Sequence, residues 1–468
     1  MTHLEYFYEI AKIPRSSGEE EKIADYLCEF AKSHGLEYYR DNGRNVLINK
    51  PASKGYEDAP VFCIQGHTDM VCEKELDVEH DFTKDPIDVY VTDDGKLKAR
   101  GTTLGADDGA ALSIMLALLE SDYEMPRLQC LFTAEEETGL FGASSFDYSL
   151  IDAEYMINID GEEEDEILAS CAGGLRAKLN KEYKTAGTGS CYKITVNGLA
   201  GGHSGSDIHK NRANASLLIF NLILKLENCG ARLASFEGGS KENAITPYAV
   251  AVVECDKEAL EKTVKEFKEE IFKALCEEDK NLRITVTDAE SMPAMSAEDT
   301  KELATLATSL KSGVIRMSDD VEGLVSASSN LGVVRVDSGK ASLCYSVRAE
   351  DDEEKQAIWE EYTKIAEKSG FSYERGQEYP GWKFKKESRL RTLYAEAYKE
   401  ISGKDIKVNA IHAGLECGII SGALPKLDII AIGPQMEYVH TTAEAMQIDS
   451  FNRVFETVKL CLKKAESL

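Results

Sequence analysis

Histidine and acidic residues follow several apolar segments of this sequence, in arrangements that could hold a metal ion. His67 and Asp69 follow the apolar run 61–65. In extended backbone, residues i and i+2 point to the same side, so the imidazole and the carboxylate would share a face. A metal-binding imidazole usually donates its second N–H to a carboxylate or a carbonyl, which Asp69 could provide. A histidine in a solvated loop would have the same local sequence, so this pair alone does not establish a site.

Two other acidic positions flank apolar segments. Asp107 and Asp108 lie in a glycine-flanked turn directly before the apolar segment 109–119. Either carboxylate could reach a cation, and the alternative for Asp108 is a helix N-cap with a favourable dipole interaction. Asp160 directly follows the apolar run 155–159, so this segment also ends in an acid.

Glu135, Glu136 and Glu137 follow the apolar run 128–133, and His440 follows another apolar segment near the C-terminus. Three consecutive acids are usually the solvated start of a helix. Adjacent carboxylates also allow one to bind a metal while its neighbour accepts a proton from water. Histidine with carboxylates is typical of zinc, with manganese or cobalt as alternatives. A carboxylate that bridges two ions is the arrangement of two-metal hydrolases.

A glycine-rich segment, 198–205, surrounds His203. The glycines could simply make turns, or they could let the backbone and one imidazole approach a substrate closely. The sequence has no G-x-x-x-x-G-K-S/T loop and no G-x-G-x-x-G after a strand, which argues against nucleotide chemistry. It also has no G-x-S-x-G segment of the kind that carries a nucleophilic serine.

The composition excludes some classes of protein. The chain has 468 residues, with 83 acidic against 54 basic side chains and a formal net charge of −29. Such an excess repels phosphate backbones, so we expect no nucleic-acid partner. It is compatible with metal ions held by carboxylates, although an acidic surface most often serves solubility. The length predicts two or three domains, each with its own core.

The chain shows no sign of a membrane or a secretory pathway. Its N-terminus lacks a basic region followed by an apolar core, so we expect no signal peptide. The longest apolar stretches, 110–119 and 215–226, are shorter than the ~20 residues that span a bilayer. The twelve cysteines form no C-x-x-C pair, which indicates reduced cysteines and a cytoplasmic location.

The elements that must position these residues alternate between helix and strand in the first third of the chain. Predicted helices cover 4–13, 19–33 and 109–119, with Ser16 and Ser17 as candidate caps of the second, and predicted strands cover 61–65, 128–133 and 155–159. This alternation is typical of an α/β sheet, where chemistry usually lies at the carboxyl ends of strands. The polar residues described above follow those ends.

The middle of the chain has a different pattern. Predicted strands at 192–196, 231–236, 244–254 and 282–287 alternate with helices at 211–227 and 257–276 in the order β-α-β-β-α-β, which is ferredoxin-like. From 324, two strands, a helix at 353–369 and a strand at 371–374 resemble half of the same pattern. A helix at 390–401, a strand at 427–432 and a helix at 450–466 then return to the α/β pattern.

We therefore predict an α/β protein of two domains. The first is a mixed-sheet di-metal catalytic domain formed by 1–184 and completed by 388–468. The second is an inserted α+β ferredoxin-like lid domain at 185–387, either single or doubled.

The motifs together resemble those of the di-zinc exopeptidases related to carboxypeptidase G and the aminoacylases, and most of all the aminoacyl-histidine dipeptidase branch, also called cytosol non-specific dipeptidases. The resemblance covers essentially the whole chain and is carried by segments 66–71, 104–109, 133–139, 158–160, 201–205, 411–418 and 433–440.

The resemblance implies two zinc ions per chain, with cobalt or manganese as alternatives. It makes His67, Asp107 and Asp160 the ligands of one ion, and Asp107, Glu137 and His440 the ligands of the other, so that Asp107 bridges. It makes Glu136 the general base towards a water that bridges the ions, and Asp69 the residue that orients His67.

Substrate-binding roles are also implied. His203 resembles the stabiliser of the carbonyl or oxyanion, Asn243 and Arg348 resemble the residues that hold the substrate carboxylate, and Glu416 would bind the free amino group. Two departures from the branch occur, namely Glu135, where aspartate is more common, and the residues after His440, where His-Ser-Pro is typical. The second departure bears on the shape of the substrate pocket.

The function implied by the resemblance is hydrolysis of unblocked dipeptides, including those with C-terminal histidine. The alternative with the same metals is an N-acyl amino acid deacylase, which would not need an anionic group for a free amine. A non-catalytic binding protein on this scaffold would be expected to lack Glu136 or a ligand, and both are present. Related enzymes often form homodimers through the lid, and the apparent second half-repeat could replace such a partner.

Overall fold

The computed structural model describes residues 1–187, 189–319, 321 and 323–467, which form two compact units. Unit 1 consists of Met1–Cys171, Trp382–Ala410 and the segment from Leu415 to the C-terminus. Unit 2 consists of Ala172–Gly381 and Ile411–Gly414.

Eleven α-helices lie among the described residues, and none of them is long and apolar enough to cross a membrane. They are α1 (His3–Ile10), α2 (Glu21–Ser33), α3 (Ala106–Glu120), α4 (Phe141–Ser145), α5 (Ala215–Lys225), α6 (Lys257–Ile271), α7 (Ala297–Ser309), α8 (Asp352–Lys368), α9 (Arg389–Ser402), α10 (Glu416–Ala423) and α11 (Ile448–Lys463).

The same residues contain twenty-five strands. They are β1 (Glu37–Arg40), β2 (Val46–Lys50), β3 (Phe62–His67), β4 (Val89–Val91), β5 (Lys96–Ala99), β6 (Leu128–Thr133), β7 (Tyr155–Asn158), β8 (Glu166–Cys171), β9 (Gly173–Glu182), β10 (Thr185–Ala186), β11 (Cys191–Asn197), β12 (Gly202–His203), β13 (Arg232–Gly238), β14 (Ala244–Ile245), β15 (Ala249–Glu254), β16 (Arg283–Ala289), β17 (Ala294–Met295), β18 (Gly313–Met317), β19 (Val325–Asp337), β20 (Lys340–Ala349), β21 (Ser372–Tyr379), β22 (Lys407–Ile411), β23 (Asp428–Ala431), β24 (Met436–Glu437) and β25 (Ala445–Gln447).

Unit 1 is built on an eight-stranded mixed sheet with the order β1-β2-β6-β3-β7-β23-β8-β22. Strands β6, β3, β7 and β23 run parallel to one another, and the pairing places His67 opposite Thr133 and Gln65 opposite Asn158. The carboxyl ends of β6, β3 and β7 therefore meet at one edge of the sheet. The predicted site residues His67, Glu136, Glu137 and Asp160 lie at or just beyond this edge.

Helix α3 is buried on all sides, as its sequence dictates. Every residue from Asp108 to Leu119 is buried, because a helix that is apolar around its whole circumference has no face to offer to water. It packs against α1, α11 and β3. The backbone at Asp107 and Asp108 is not helical, so the regular helix begins only after the two acids.

A small four-stranded sheet in unit 1 presents His440. Its order is β24-β25-β5-β4, and β24 pairs antiparallel with β25. His440 lies in the loop that joins these two short strands, and its φ of +66° is in the left-handed region. The pairing of β25 with β5 fixes the base of this loop.

Unit 2 contains two β-α-β-β-α-β sets in one nine-stranded antiparallel sheet. The first set is β11-α5-β13-β15-α6-β16, and its strands have the spatial order β16-β11-β15-β13. The second set is β9-α7-β19-β20-α8-β21, with the equivalent order β21-β9-β20-β19. The sets join where β13 pairs with β19.

The lid was predicted to begin at 185, but unit 2 begins at Ala172 and ends at Gly381, earlier than the predicted 387. The difference arises mainly from β9, which supplies the first strand of the second set. It pairs with β20 and β21, whose residues come more than 150 positions later in the chain. Local sequence patterns do not reveal such a long-range partner.

Several element boundaries also differ from the predictions. Ser16 and Ser17 do not cap α2, because Glu20 occupies the N-cap position and the Ser17 hydroxyl donates to Asp69 Oδ2 at 2.8 Å. The predicted strand 244–254 is interrupted between β14 and β15 by a segment that contains Pro247, which has no N–H for a ladder.

Leu112 on α3 is fully buried, so Leu112→Ala should lower the free energy of unfolding by about 2–5 kcal/mol. The matched control is Leu76→Ala, because Leu76 is fully exposed (108%) and its truncation should change stability by no more than about 0.5 kcal/mol. Urea titration followed by circular dichroism measures both. Equal effects of the two substitutions would contradict the burial of α3.

Candidate metal centre

The first group of candidate ligands gathers around His67, the last residue of β3. Its Nε2 lies 2.8 Å from Asp107 Oδ1 and 3.5 Å from Asp160 Oδ1. Its Nδ1 lies 3.2 Å from the carbonyl oxygen of Asp69, which can accept the second N–H. The imidazole therefore presents Nε2 to the two carboxylates, and the three ligand atoms lie within 4.8 Å of one another.

The second group shares Asp107 with the first. His440 Nε2 lies 3.0 Å from Asp107 Oδ2 and 2.8 Å from Glu137 Oε1. Asp107 Oδ1 faces His67 while Oδ2 faces His440, so one carboxylate serves both groups. His440 is half exposed (49%), whereas His67 is buried. The two oxygens of Asp107 thus face separate groups, as is required of a carboxylate that bridges two ions.

Asp108 does not join either group. Its Oδ1 accepts the N–H of Ala111 at 3.1 Å, which satisfies a free donor at the start of the helix, and its Oδ2 accepts the N–H of His67 at 3.2 Å. The capping role that the sequence offered for Asp108 is thus observed. The same carboxylate also holds the backbone of a candidate ligand.

The carboxylate of Asp69 fixes the backbone that follows β6. It accepts the N–H of Glu136 at 3.0 Å, the N–H of Glu137 at 3.2 Å and the hydroxyl of Ser17 at 2.8 Å. Its Oδ1 lies 3.4 Å from His67 Nδ1. Asp69 therefore contacts His67 chiefly through its carbonyl, and its buried side chain positions the two glutamates.

Glu136 lies within reach of a third grouping. One ligand atom each of His67, Glu136 and Glu137 lies within 4.8 Å of the others. The geometry alone therefore allows Glu136 either to bind a cation or to stand beside it as a proton acceptor. Glu135, the first residue of the run, turns away from both groups and forms an ion pair with Arg44.

The carboxylates at the centre are crowded and buried, so nearby positive charge stabilises their ionised forms. Burial raises the pKa of Glu136 well above its usual range and that of Asp160 to about 6. Burial opposes a charge on His67, but its hydrogen-bonding carboxylates still raise its pKa, and those around His440 raise its pKa to about 11. Protons thus compensate the acids when no other cation is present.

The donor set fits divalent metal ions. Among the described residues, the ion-pair partners of Asp107, Glu137 and Asp160 are only His67 and His440. Imidazole nitrogen and carboxylate oxygen together suit zinc, manganese or cobalt. A bound cation would replace the protons, because ligands must be deprotonated to bind.

Glu416 lies at the end of a chain of buried polar groups in unit 1. Its Oε2 accepts hydrogen bonds from Gln65 Nε2 at 2.5 Å and from Thr133 Oγ1 at 2.7 Å. Gln65 Oε1 in turn accepts the side-chain N–H of Asn158 at 2.7 Å. Glu416 is fully buried, and burial raises its pKa to about 7.

The other predicted substrate residues lie in unit 2. Arg348 Nη2 lies 3.3 Å from His203 Nε2, and Arg348 Nη1 donates to the hydroxyl of Tyr379 at 2.9 Å. Burial and the positive Arg348 lower the pKa of His203 to about 4. The carbonyl of Asn243 accepts the N–H of Ser204 at 2.8 Å, so Asn243 holds the backbone beside His203.

Three buried polar residues beside the predicted site residues were not identified from the sequence. In unit 1 these are the buried Arg15 and Glu444, which contact the backbone near Asp107. In unit 2 it is His412, whose Nε2 lies 2.7 Å from Ser328 Oγ. The available signals were a glutamate four residues after His440 and a histidine in the segment 411–418, but neither identifies a contact by itself.

The chain is similar to known proteins over most of its length. A family model described as peptidase family M20/M25/M40 matches residues 63–464. The chain is 35% identical to the cytosol non-specific dipeptidase of Escherichia coli (strain K12), over 98% of this chain and 96% of that protein.

Solved structures show the same fold. Aminoacylhistidine dipeptidase from Vibrio alginolyticus matches with a TM-score of 0.90 and 31% identity, covering 98% of this chain and 96% of that one. A tripeptidase from Staphylococcus aureus matches with a TM-score of 0.58 and 18% identity, covering 100% and 98%. The second similarity shows the fold alone.

Removal of divalent ions with a chelator should lower the thermal midpoint of the protein, and their return should raise it. At about 100 times the dissociation constant, a ligand that binds only the native state stabilises it by about 2.7 kcal/mol. Scanning calorimetry with Zn²⁺, Co²⁺ or Mn²⁺ measures the shift.

The Asp107→Asn variant should lose most of this response, because both groups share that carboxylate. The control is Asp405→Asn, since Asp405 is exposed and pairs only with Lys399 among the ion pairs described. A wild-type midpoint that does not depend on divalent ions would contradict the assignment of a metal centre.

Proposed function

The chain belongs to peptidase family M20/M25/M40, and from that membership we propose that it is a metal-dependent dipeptidase that hydrolyses unblocked dipeptides. The observation that carries the proposal is the carboxylate of Asp107, whose two oxygens face two separate groups of candidate ligands. The names of the E. coli and Vibrio relatives, both dipeptidases that match almost the whole chain, support the substrate class.

We propose His67, Asp107 and Asp160 as the ligands of one ion, and Asp107, Glu137 and His440 as the ligands of the other. Zinc is the proposed metal, with cobalt and manganese as alternatives. When bound, such ions polarise the scissile carbonyl and make a water more acidic.

Glu136 is the proposed general base. Its carboxylate would accept a proton from the attacking water and later deliver it to the leaving amine nitrogen. Asp69 supports this role, because its side chain holds the N–H groups of both Glu136 and Glu137. The two glutamates are thereby presented in a fixed relation, one as a base and one as a ligand.

In unit 2, His203 is proposed to stabilise the scissile carbonyl or the oxyanion. Its lowered pKa keeps the imidazole neutral at pH 7, so that it can donate one N–H. Arg348 and Asn243 are proposed to hold the substrate carboxylate, since a guanidinium offers the planar donors that a carboxylate prefers.

Recognition of the free amino group is proposed for Glu416. The support is its carboxylate Oε1, which is buried and has no hydrogen-bond partner among the described residues. An N-acyl amino acid deacylase would have no free amino group in its substrate for this carboxylate to bind. That alternative is not favoured, because both near-full-length relatives are named as dipeptidases.

We also propose a cytoplasmic location, in line with the name of the E. coli relative. We further propose a homodimer formed through the lid. Dipeptides with C-terminal histidine are proposed among the substrates, and the name of the Vibrio relative supports this.

The substrate class is tested with metal-loaded protein and free dipeptides, measured beside their N-acetylated counterparts. We expect kcat/KM to be higher for the free dipeptides by at least about 10²-fold, because a blocked amine leaves a buried polar group unpaired. The panel includes dipeptides with and without C-terminal histidine. A preference for N-acetylated substrates would favour the deacylase, and hydrolysis of neither class would overturn the proposal.

The roles of the adjacent glutamates are separated by Glu136→Gln and Glu137→Gln. The first variant should keep both ions and lose turnover by about 10² or more, since general base catalysis typically supplies 10²–10⁴. The second should weaken one ion while the other, held by His67, Asp107 and Asp160, remains. Elemental analysis beside dipeptide turnover measures both properties.

The third grouping, with Glu136 as a ligand, gives the opposite result. If Glu136→Gln loses metal while Glu137→Gln keeps both ions, the two roles are exchanged.

A further inference from the structure

Gly105 stands two residues before Asp107 in a backbone conformation that favours glycine. Its φ is +69°, in the left-handed region. A Cβ at this position would lie 2.6 Å from Arg15 Nη2 and 2.7 Å from Met70 Sδ. The backbone thus approaches its neighbours more closely than any side chain would allow, which points to a specific hold on this segment.

Glu444 holds the segment from one side. Its side chain is buried (3% exposed), and its Oε2 accepts the N–H of Leu104 at 2.8 Å and that of Gly105 at 3.1 Å. Its Oε1 accepts the N–H of Ala106 at 2.8 Å and lies 3.5 Å from the nitrogen of Asp107. One carboxylate therefore binds consecutive donors at the N-terminal end of α3, where negative charge is favourable.

Arg15 holds the same segment from the other side. It is also buried (4% exposed), and its Nη2 donates to the carbonyl oxygen of Gly105. Its Nη1 donates to the carbonyl oxygens of Thr68 at 3.1 Å and Asp69 at 2.7 Å. The guanidinium thus ties the residues that follow His67 to those that precede Asp107.

We propose that Arg15 and Glu444 are positioning residues that hold the N–H and the C=O of Gly105 from opposite sides and thereby fix Asp107 between its two groups of ligands. This inference rests on the proposed function, in which Asp107 is the shared ligand. Neither side chain contacts the candidate ligand atoms in the contacts described. They act through the backbone, as partners outside the ligand sphere do at other metal sites.

The arrangement also explains why the segment after His440 contains a glutamate. Glu444 and His440 lie in the same loop between β24 and β25. The loop therefore contributes a candidate ligand and, four residues later, the carboxylate that holds the backbone of the shared ligand. Movement of this loop would therefore alter two of the three proposed ligands of the second ion, His440 and Asp107, together.

The first test measures the hold itself in metal-free, full-length protein. Amide hydrogen exchange of Leu104–Asp107 should become at least about tenfold faster in Glu444→Gln, because an amide side chain offers only one acceptor oxygen and turns an N–H₂ towards backbone donors. Arg15→Lys should have a similar effect, since a single ammonium cannot replace the planar fork of the guanidinium. The control is Glu437→Gln in β24, because the partly exposed side chain of Glu437 pairs with Lys96.

The second test measures the consequence by chelator competition with Zn²⁺ and by the absorption spectrum of the Co²⁺ form. Glu444→Gln should bind both ions about 10–100-fold more weakly, the usual effect of losing such a supporting contact, and Glu437→Gln should not. The cobalt spectrum should change as well, because Asp107 would no longer be held in place. A double Arg15→Lys, Glu444→Gln variant should lose little more affinity than the worse single variant.

Three results would overturn the inference: unchanged exchange of Leu104–Asp107 in Glu444→Gln, unchanged metal affinity with faster exchange, or fully additive losses in the double variant. If Glu444→Gln does not fold, Glu444→Asp replaces it. Its metal affinity should lie between that of the wild type and that of Arg15→Lys. Wild-type protein that binds no metal would instead overturn the proposed function, while hydrogen exchange would still decide the hold on Gly105.

Discussion

The interaction on which the structure depends is the sharing of one carboxylate, that of Asp107, by two imidazoles that come from distant parts of the chain. His67 ends a central strand, and His440 lies in a loop near the C-terminus, more than 370 residues later. Acidic residues crowd around this point, and burial disfavours their charge. The arrangement is stable only with compensating positive charge, and divalent cations supply more of it in one place than protons do.

The residues around the centre hold the candidate ligands through backbone contacts and do not add further charged ligands. Asp69, Asp108 and Glu444 each use a buried carboxylate to bind backbone N–H groups next to a candidate ligand. Because backbone groups have little freedom, this fixes ligand positions without adding flexible side chains to the centre. The same three carboxylates lie close to the buried guanidinium of Arg15, whose positive charge favours their ionised forms.

The sequence was sufficient to predict the strands that end in His67, Thr133 and Asn158, because each is a short apolar run followed directly by polar residues. The candidate acids and histidines of the centre were proposed on the same basis and by resemblance. The positioning residues and β9 could not be predicted, since Arg15, Glu444 and β9 are defined by partners about 90 to 340 residues away. Such contacts depend on the fold, and local patterns carry no record of them.

The order of strands also affects how the polypeptide is made. In unit 1, β23 lies between β7 and β8, so a vacant place remains in the sheet until residues 428–431 have left the ribosome. In unit 2, β9 cannot pair with β20 and β21 until these strands have been synthesised, which happens after the whole first set. Both sheets are therefore completed late, and strand edges stay unpaired while the intervening residues are synthesised. The last fifth of the polypeptide supplies β22 and β23 to a sheet whose other six strands are synthesised earlier, so a chain that stops before β23 would lack an interior strand of unit 1 as well as His440.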